Sequence, residues 1–172
     1  AANSLFGGEN MVEVATPEII HAPEWSDLDR LNKERDLVGI YLSAHPLDEY
    51  EVILENVCNV KMAALTDLTP LQNLDLILGG IVTGVREGYT KTGKPYGIAK
   101  VEDYSGSAEF AFFGNDWIEK KNFFNIGMFL YMKGKCQPKQ WRQDEYEVKV
   151  NTIELLPDVK ESVIEKLTIN AP

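Results

Sequence analysis

The sequence predicts an α+β protein, mainly β, in which a short helical segment precedes a small five-stranded barrel. Three observations predict it. Apolar residues recur at helical spacing over residues 28–42. From residue 76 the pattern changes to short runs rich in Ile, Leu and Val, separated by Gly-containing turns. The runs and one short helical stretch follow in the order three strands, helix, two strands, which is the chain order of an OB fold.

The first helix is predicted to begin at Ser26, whose hydroxyl can cap it with Asp29 three residues later in a capping-box arrangement. We expect it to end near Ser43, because His45 precedes Pro46 and a residue before proline disfavours the α region. One mostly apolar stripe runs along it, formed by Leu28, Leu31, Arg35, Val38 and Leu42.

The chain divides into four predicted parts. Residues 1–24 are expected to be a linker, with two adjacent glycines and two prolines. Residues 25–74 are the helical segment, with a second helix over 47–56 and an element of uncertain type over 62–71. Residues 75–156 form the barrel. The charged stretch 157–172 is a C-terminal extension that we expect to lead into a further segment, and the N-terminus without Met suggests an excised piece of a longer chain.

The five strands are each marked by apolar residues and bounded by turn residues. The first is expected to bend at Gly79 and Gly80 or at Gly84, because strand glycines mark bulges and tight bends. Residues 90–94 form a hairpin tip, in which Gly93 can adopt positive φ. A short helix over 115–124 is expected to be capped by Asn115. The predicted strands cover residues 76–86, 96–102, 107–113, 128–137 and 145–155, with a loop at 138–144.

The charge distribution localises any nucleic-acid surface. The formal net charge is −10, yet residues 76–142 contain 10 basic and 6 acidic residues, a local net charge of +4. Phosphates are bound where Lys and Arg cluster, so this part of the chain is the candidate.

No enzyme motif is present: the sequence has no Gly-rich phosphate loop, no HExxH and no CxxC. The block around His45 places Ser, His and Asp close in sequence, but the members of a catalytic triad usually come from separate elements, so we expect a helix–helix corner with a hydrogen-bonded imidazole. Glu102 and Asp103 are interpreted as solvated or as a loop cap. Cys58 and Cys136 share no metal spacing, which favours reduced thiols in a cytoplasmic protein without a metal site. No apolar run could span a membrane and no signal peptide is evident.

Two loops of the barrel combine cations for phosphates with aromatic rings for bases, the mixture that single-strand binding requires. They flank the face on which OB folds bind oligonucleotides. Of Phe110, Phe112 and Phe113, alternation places the first two opposite the third, and we expect each to be in the core. The candidate nucleic-acid-binding residues are Arg86, Tyr89, Lys91, Lys94 and Tyr96 in the first loop, and Lys135, Lys139, Gln140, Trp141 and Arg142 in the second.

Residues 31–50, LNKERDLVGIYLSAHPLDEY, closely resemble a block of the bacterial replicative (C-family) DNA polymerase alpha subunits, E-K-E-x-L-G-F-Y-L-S-G-H-P-L-D. Ala44 stands where that family usually has Gly. The stretches GIV at 80–82, TKTGKP at 90–95 and VEDYSGS at 101–107 resemble the OB domain of the same family. The resemblance covers about residues 26–156 and identifies the chain as a C-terminal portion of such a polymerase.

The resemblance implies a DNA-directed DNA polymerase that extends primed DNA with Mg²⁺, whose catalytic aspartates lie outside this chain. It also implies that the barrel contacts the single-stranded template and that other replicase subunits are partners. The N-terminal Leu5 and Phe6 align with the family's short sliding-clamp motif, Q-x-x-[LM]-F, although Ala2 replaces its Gln.

Two alternatives remain open. One is the anticodon-binding OB domain of an aminoacyl-tRNA synthetase, although the block at residues 31–50 is foreign to it. The other is a protein-interaction barrel, which the acidic flanks favour.

Overall fold

The structure is a computed structural model that describes residues 23–39, 41–139 and 142–169. Among the described residues, two α-helices and three short 3-10 helices precede the barrel. A third α-helix lies between its third and fourth strands, and a fourth follows its last strand. The α-helices are α1, Asp27–Val38; α2, Glu51–Asn56; α3, Asn115–Lys120; and α4, Leu156–Ile169. The 3-10 helices before the barrel are Asp48–Tyr50, Met62–Thr66 and Thr69–Leu71.

Helix α1 begins where predicted but ends earlier. Ser26 is the N-cap, and its hydroxyl oxygen accepts a hydrogen bond from the backbone N–H of Asp29 at 3.1 Å. The predicted end near Ser43 is wrong. Gly39 adopts φ +90 and its N–H bonds the carbonyl of Arg35, which closes the helix. A residue without Cβ can enter the left-handed region cheaply, so it stops the helix before the proline does.

The five predicted strands are confirmed, and they form one antiparallel sheet in the order β3-β2-β1-β4-β5. The first half of β1 pairs with β4 and its second half with β2, as the long shared strand of an OB barrel must. The pairing with β2 shifts register between Val82 and Gly84, so a bulge bends β1 beside one of the predicted glycines. The strands are β1, Asp75–Tyr89; β2, Pro95–Asp103; β3, Gly106–Phe113; β4, Phe129–Lys139; and β5, Arg142–Leu155.

The helix between β3 and β4 packs against β2 and β3. It is shorter than predicted, since α3 gives way to a 3-10 helix at Lys121–Phe123. The predicted cap at Asn115 is wrong: Gly114 occupies the N-cap position, where it makes no side-chain hydrogen bond, and Asn115 is the first helical residue. Trp117 of α3 is 4% exposed and packs directly on Gly97 of β2.

Two apolar clusters hold the described parts together. The first fills the barrel and includes Leu78, Val101 and Phe110. The second lies outside it, where Leu47 of the helical segment and Leu156 of α4 pack against the sheet. Helix α4 was not predicted from the charged tail. The loop predicted at 138–144 is shorter than expected, because β4 continues to Lys139 and β5 begins at Arg142. No helix within the described residues is long and apolar enough to cross a membrane.

Candidate nucleic-acid interface

The block around His45 fastens the helical segment to the β2–β3 turn. The backbone N–H of His45 donates to one oxygen of the Asp48 carboxylate at 2.9 Å, and the Tyr104 hydroxyl donates to the other at 2.8 Å. The imidazole Nδ1 accepts from the backbone N–H of Leu47, and its ring lies 4.4 Å from that of Tyr104. Burial lowers the pKa of His45, which keeps the ring a neutral acceptor. The hydrogen-bonded imidazole expected from the sequence is confirmed. The expected helix–helix corner is wrong, because α1 already ends at Val38.

The β2–β3 turn supplies the other half of this contact. One Asp103 oxygen accepts from the N–H groups of Ser105 and Gly106, which makes Asp103 a loop cap. Its other oxygen accepts from the N–H of Met62 at 2.9 Å, and the Ser105 hydroxyl accepts from the N–H of Ala63. Of the two acids Glu102 and Asp103, which were predicted to be solvated or to cap a loop, Asp103 is a loop cap. Its role is to hold the β2–β3 turn in place.

The outward surface of β1, β2 and β3 is the candidate interface, and we call it the outer face. Alternation sets its membership, because successive strand residues point to opposite sides. Gly97, Ala99 and Val101 of β2 are buried, so their neighbours in β2 point outward. The register aligns those neighbours with the second half of β1 and with β3. The outer face comprises Gly84, Arg86 and Gly88 of β1, Tyr96, Ile98 and Lys100 of β2, and Glu109, Ala111 and Phe113 of β3.

Two aromatic rings lie side by side on the outer face. Tyr96 and Phe113 are cross-strand partners with ring centroids 6.1 Å apart. A Cβ on Gly88 would lie 3.2 Å from the Tyr96 ring, so the glycine lets that ring lie close over β1. Phe113 is 58% exposed. Tyr96 is half-buried, so Phe113 offers most of the accessible ring surface of the pair. Such a surface, beside small residues, is one on which flat rings such as nucleobases can stack.

Charge on the outer face is nearly balanced. The Arg86 guanidinium bonds both carboxylate oxygens of Glu109 at 2.9 and 3.0 Å. Lys100 lies opposite Glu109 in the register and is exposed. Within the described residues Lys100 has no ion pair within 4 Å. The Arg86 cation of the outer face is therefore already engaged by Glu109, whereas Lys100 adds a positive charge without an ion-pair partner among the described residues.

The β1–β2 hairpin extends the outer face with a free basic tip. Thr90 and Lys94 close the turn by a backbone hydrogen bond of 2.8 Å, and Gly93 has φ +78, as predicted. Tyr89 is 77% exposed, and Lys91 and Lys94 are also exposed. Neither lysine has an ion pair to another residue in the part of the chain that is described. The structure thus brings the five predicted residues of the first loop to the β1–β2 hairpin. Arg86 and Tyr96 lie on the outer face, whereas alternation from Gly88 turns Tyr89 to the opposite side.

The second predicted loop forms a separate basic cluster. Lys139 and Arg142 both bind the Glu145 carboxylate, and these hydrogen bonds lower its pKa. Lys135 is exposed on β4, opposite Asp75 at the far end of β1 from Arg86. Gln140 and Trp141 lie outside the described residues. The cations of this loop are therefore partly neutralised, and their place beside the outer face stays a prediction.

Two members of the outer face were missed by the sequence reasoning. Phe113 was expected in the core, and that expectation is wrong, whereas Phe110 and Phe112 are buried as expected. Lys100 was not considered. The signal was available for both: alternation from the buried Phe112 turns Phe113 outward, and alternation from Tyr96 places Lys100 on the same side.

The predicted clamp-binding residues and the possibility of a metal site complete the comparison with the sequence predictions. Leu5 and Phe6, proposed for clamp binding, lie outside the described residues. Among the residues that are described, no group of three or more His, Cys, Asp or Glu side chains is placed to hold a metal ion.

Comparison with known proteins supports the fold and the relationship. Residues 76–156 match the family described as "OB-fold nucleic acid binding domain", which is named after the tRNA anticodon. The DNA polymerase III subunit alpha of Vibrio cholerae is 32% identical over 130 residues, covering 67% of this chain and 11% of that protein. The protein of the same name from Pseudomonas fluorescens is 25% identical over 167 residues, covering 96% of this chain and 14% of that protein. The chain spans about a tenth of the length of these relatives.

Among solved structures, the second OB-fold domain of replication protein A from Methanococcus maripaludis aligns with a TM-score of 0.32 at 17% identity. The alignment covers 52% of this chain and 91% of that domain. So distant a likeness does not bear on function.

Proposed function

We propose that this chain, a relative of the DNA polymerase III alpha subunits that carries an OB-fold nucleic-acid-binding domain, holds single-stranded template DNA on the outer face of its barrel. The observation that carries the proposal is the pairing of half-buried Tyr96 with exposed Phe113, flanked by Lys100 and the basic hairpin. Rings provide stacking surfaces that every base can use, and the cations face the backbone phosphates. Binding should be weak, since few unpaired cations lie on the face and the chain has a net charge of −10.

The test is fluorescence anisotropy with a labelled single-stranded oligonucleotide at low salt. Replacing Tyr96 or Phe113 by Ala should each weaken binding by about 1–3 kcal/mol, the usual contribution of one stacked base. Trp25→Ala is the matched control, because Trp25 is 62% exposed but lies ahead of α1. If all three variants bind like the parent, the outer face is not the interface.

The basic hairpin is tested by charge reversal of Lys91 and Lys94. Phosphate contacts carry no sequence information, so the reversal should weaken binding to all sequences alike and make it less sensitive to salt. Trp141→Ala tests the second loop in the same assay, with an expected loss of about 1–3 kcal/mol if a base stacks on it. Unchanged affinity in both variants would remove these loops from the interface.

For the longer protein we propose the activity that the relatives' name states, DNA polymerase III, acting in the cytoplasm with Mg²⁺ and other replicase subunits. The catalytic site is proposed to lie outside this chain. Purified chain supplied with primed template, deoxynucleotides and Mg²⁺ should therefore not extend the primer. Extension by a preparation free of contaminating polymerase would contradict this proposal.

For the N-terminal tail we propose docking of Leu5 and Phe6 in an apolar pocket of the sliding clamp. A short peptide that orders on binding is weak, and tethering to a polymerase already on DNA raises its effective concentration. Titration of the cognate clamp with the parent and with Leu5→Ala/Phe6→Ala should show weak binding that the double variant loses. Equal binding by the two would leave the tail as a linker.

A second candidate function is tRNA recognition. It is favoured by the name of the matching domain family, which refers to the tRNA anticodon. Stacking on Tyr96 and Phe113 does not distinguish DNA from RNA, so the anisotropy assay includes a tRNA competitor. Preferential competition by tRNA over single-stranded DNA of equal length would favour this candidate.

A further inference from the structure

The Arg86 side chain lies across the surface on which a strand would have to lie. Arg86 belongs to β1 and Glu109 to β3, and β2 runs between them. To bond Glu109 at 2.9 and 3.0 Å, the arginine must extend over β2, on the side of Ile98 and Lys100. This ion pair therefore bridges the middle of the outer face, directly beside the aromatic pair.

The Arg86–Glu109 ion pair can be broken at little cost in stability. The side chains of Arg86 and Glu109 are 68% and 54% exposed, and an ion pair so exposed to water contributes little stability. Arginine binds phosphate and carboxylate oxygens through the same planar fork of donors, so a phosphate can replace the carboxylate directly. Glu109 in turn has a second cation, Lys100, directly opposite in the register, and that lysine can receive the carboxylate once the arginine leaves.

We propose that the Arg86–Glu109 ion pair, which crosses the outer face, makes this face selective for ligands with unpaired nucleobases. We call this ion pair the strap. This inference rests on the proposed function and adds a specificity-determining residue, Glu109. A ligand that offers only phosphates must compete with the Glu109 carboxylate for Arg86, and this exchange adds little binding free energy. A single strand whose bases stack on Tyr96 and Phe113 has additional binding free energy, which is enough to displace the carboxylate from Arg86. Duplex DNA and anionic polymers without accessible rings are therefore disfavoured.

The test compares three probes of equal length: a single-stranded oligonucleotide, an abasic strand with the same sugar-phosphate backbone, and a duplex. Each is titrated into the parent, Glu109→Gln, Glu119→Gln, Arg86→Ala and the double variant Arg86→Ala/Glu109→Gln. Glu119 is the matched control because it is exposed on α3, away from the outer face, and loses the same charge.

We expect Glu109→Gln to bind the single strand about three- to tenfold more tightly at low salt, because the Arg86 guanidinium can then bind a phosphate without first losing its carboxylate partner. The increase in affinity of Glu109→Gln for the abasic strand and the duplex should be larger. The preference for the single strand over these two probes should therefore be smaller than in the parent. The salt slope of Glu109→Gln should steepen by roughly one phosphate contact. Arg86→Ala/Glu109→Gln should lose the gain, because the freed guanidinium is its source.

The possible failures are distinguishable. If Glu109→Gln binds all three probes like Glu119→Gln while Tyr96→Ala still weakens the parent, the strap is overturned and the proposed function stands. If the gain survives without Arg86, Glu109 acts only by repelling phosphate, and the strap is again overturned. If the folded parent and every variant bind none of the probes, the proposed function itself fails.

Discussion

Replacing Gly97 by Ala should destabilise the barrel, because the structure leaves no room for a methyl group there. A Cβ at this position would lie 2.4 Å from the nearest ring atoms of Trp117. An ordinary carbon–carbon contact is about 3.5–4.0 Å, so the ring would have to retreat by more than about 1 Å. It cannot do so freely: the Trp117 ring is stacked with that of Phe124 at 6.0 Å and lies 6.5 Å from Phe112. Overpacking of this kind costs about 1–3 kcal/mol, and sometimes more.

The matched control is Gly84→Ala, in which the new Cβ would lie 3.6 Å from that of Lys100, an ordinary contact. Losing a glycine from the unfolded chain stabilises by about 0.4–1 kcal/mol where the native backbone tolerates Ala, so this variant should be neutral or slightly more stable. Urea unfolding followed by circular dichroism gives both free energies by linear extrapolation. If Gly97→Ala is as stable as Gly84→Ala, then Trp117 does not pack on β2 as described, and α3 does not fix the position of the strand that carries Tyr96.

Three further outcomes are expected. Tyr104→Phe removes the hydroxyl that donates to Asp48 and should lower the free energy of unfolding by about 0.5–1.5 kcal/mol, measured as a lower urea midpoint at unchanged slope; an unchanged midpoint would contradict the docking role of this turn. Burial raises the pKa of the Cys58 thiol to about 11, so iodoacetamide at pH 8 should alkylate it about 100-fold more slowly than an ordinary thiol, and rapid alkylation of the folded protein would refute that burial. Hydrogen bonds from Ser43 lower the pKa of Glu34, so this carboxylate stabilises the fold at neutral pH and loses that contribution as the pH falls through its folded pKa. Ser43→Ala should raise the Glu34 pKa in an NMR titration. An unchanged Glu34 pKa would show that the contact is absent in solution.

The five-stranded fold could be predicted because its signals are local. Alternation, turn glycines and the order of the elements depend on residues a few positions apart. The Ser26 cap and the hairpin tip with Gly93 were found for the same reason. The candidate residues of the first loop were found because the basic and aromatic residues adjoin one turn in the chain.

The errors arose where two local signals compete. Both Gly39 and Pro46 can end a helix, and the predicted end was based on the proline. Gly39 comes first in the chain and ends α1. Asn115 is a good capping residue by type, but the chain enters α3 through Gly114, whose φ of +60 sets the start one residue earlier. Phe113 was assigned to the core by residue type, although alternation turns it outward.

The sequence by itself determined the class of fold, the strands and the charge of the barrel, because periodicity and composition are properties of neighbours along the chain. Only the tertiary structure decided which side chains share the outer face and which of their charges are free. Arg86 and Glu109 are 23 residues apart, and their meeting depends on the register of two strand pairings and on the bulge at Thr83. A shift of one residue in either pairing would turn the side chains of a strand to its opposite face. Cross-strand partners therefore follow from the packing of the whole barrel, and no short stretch of sequence contains them.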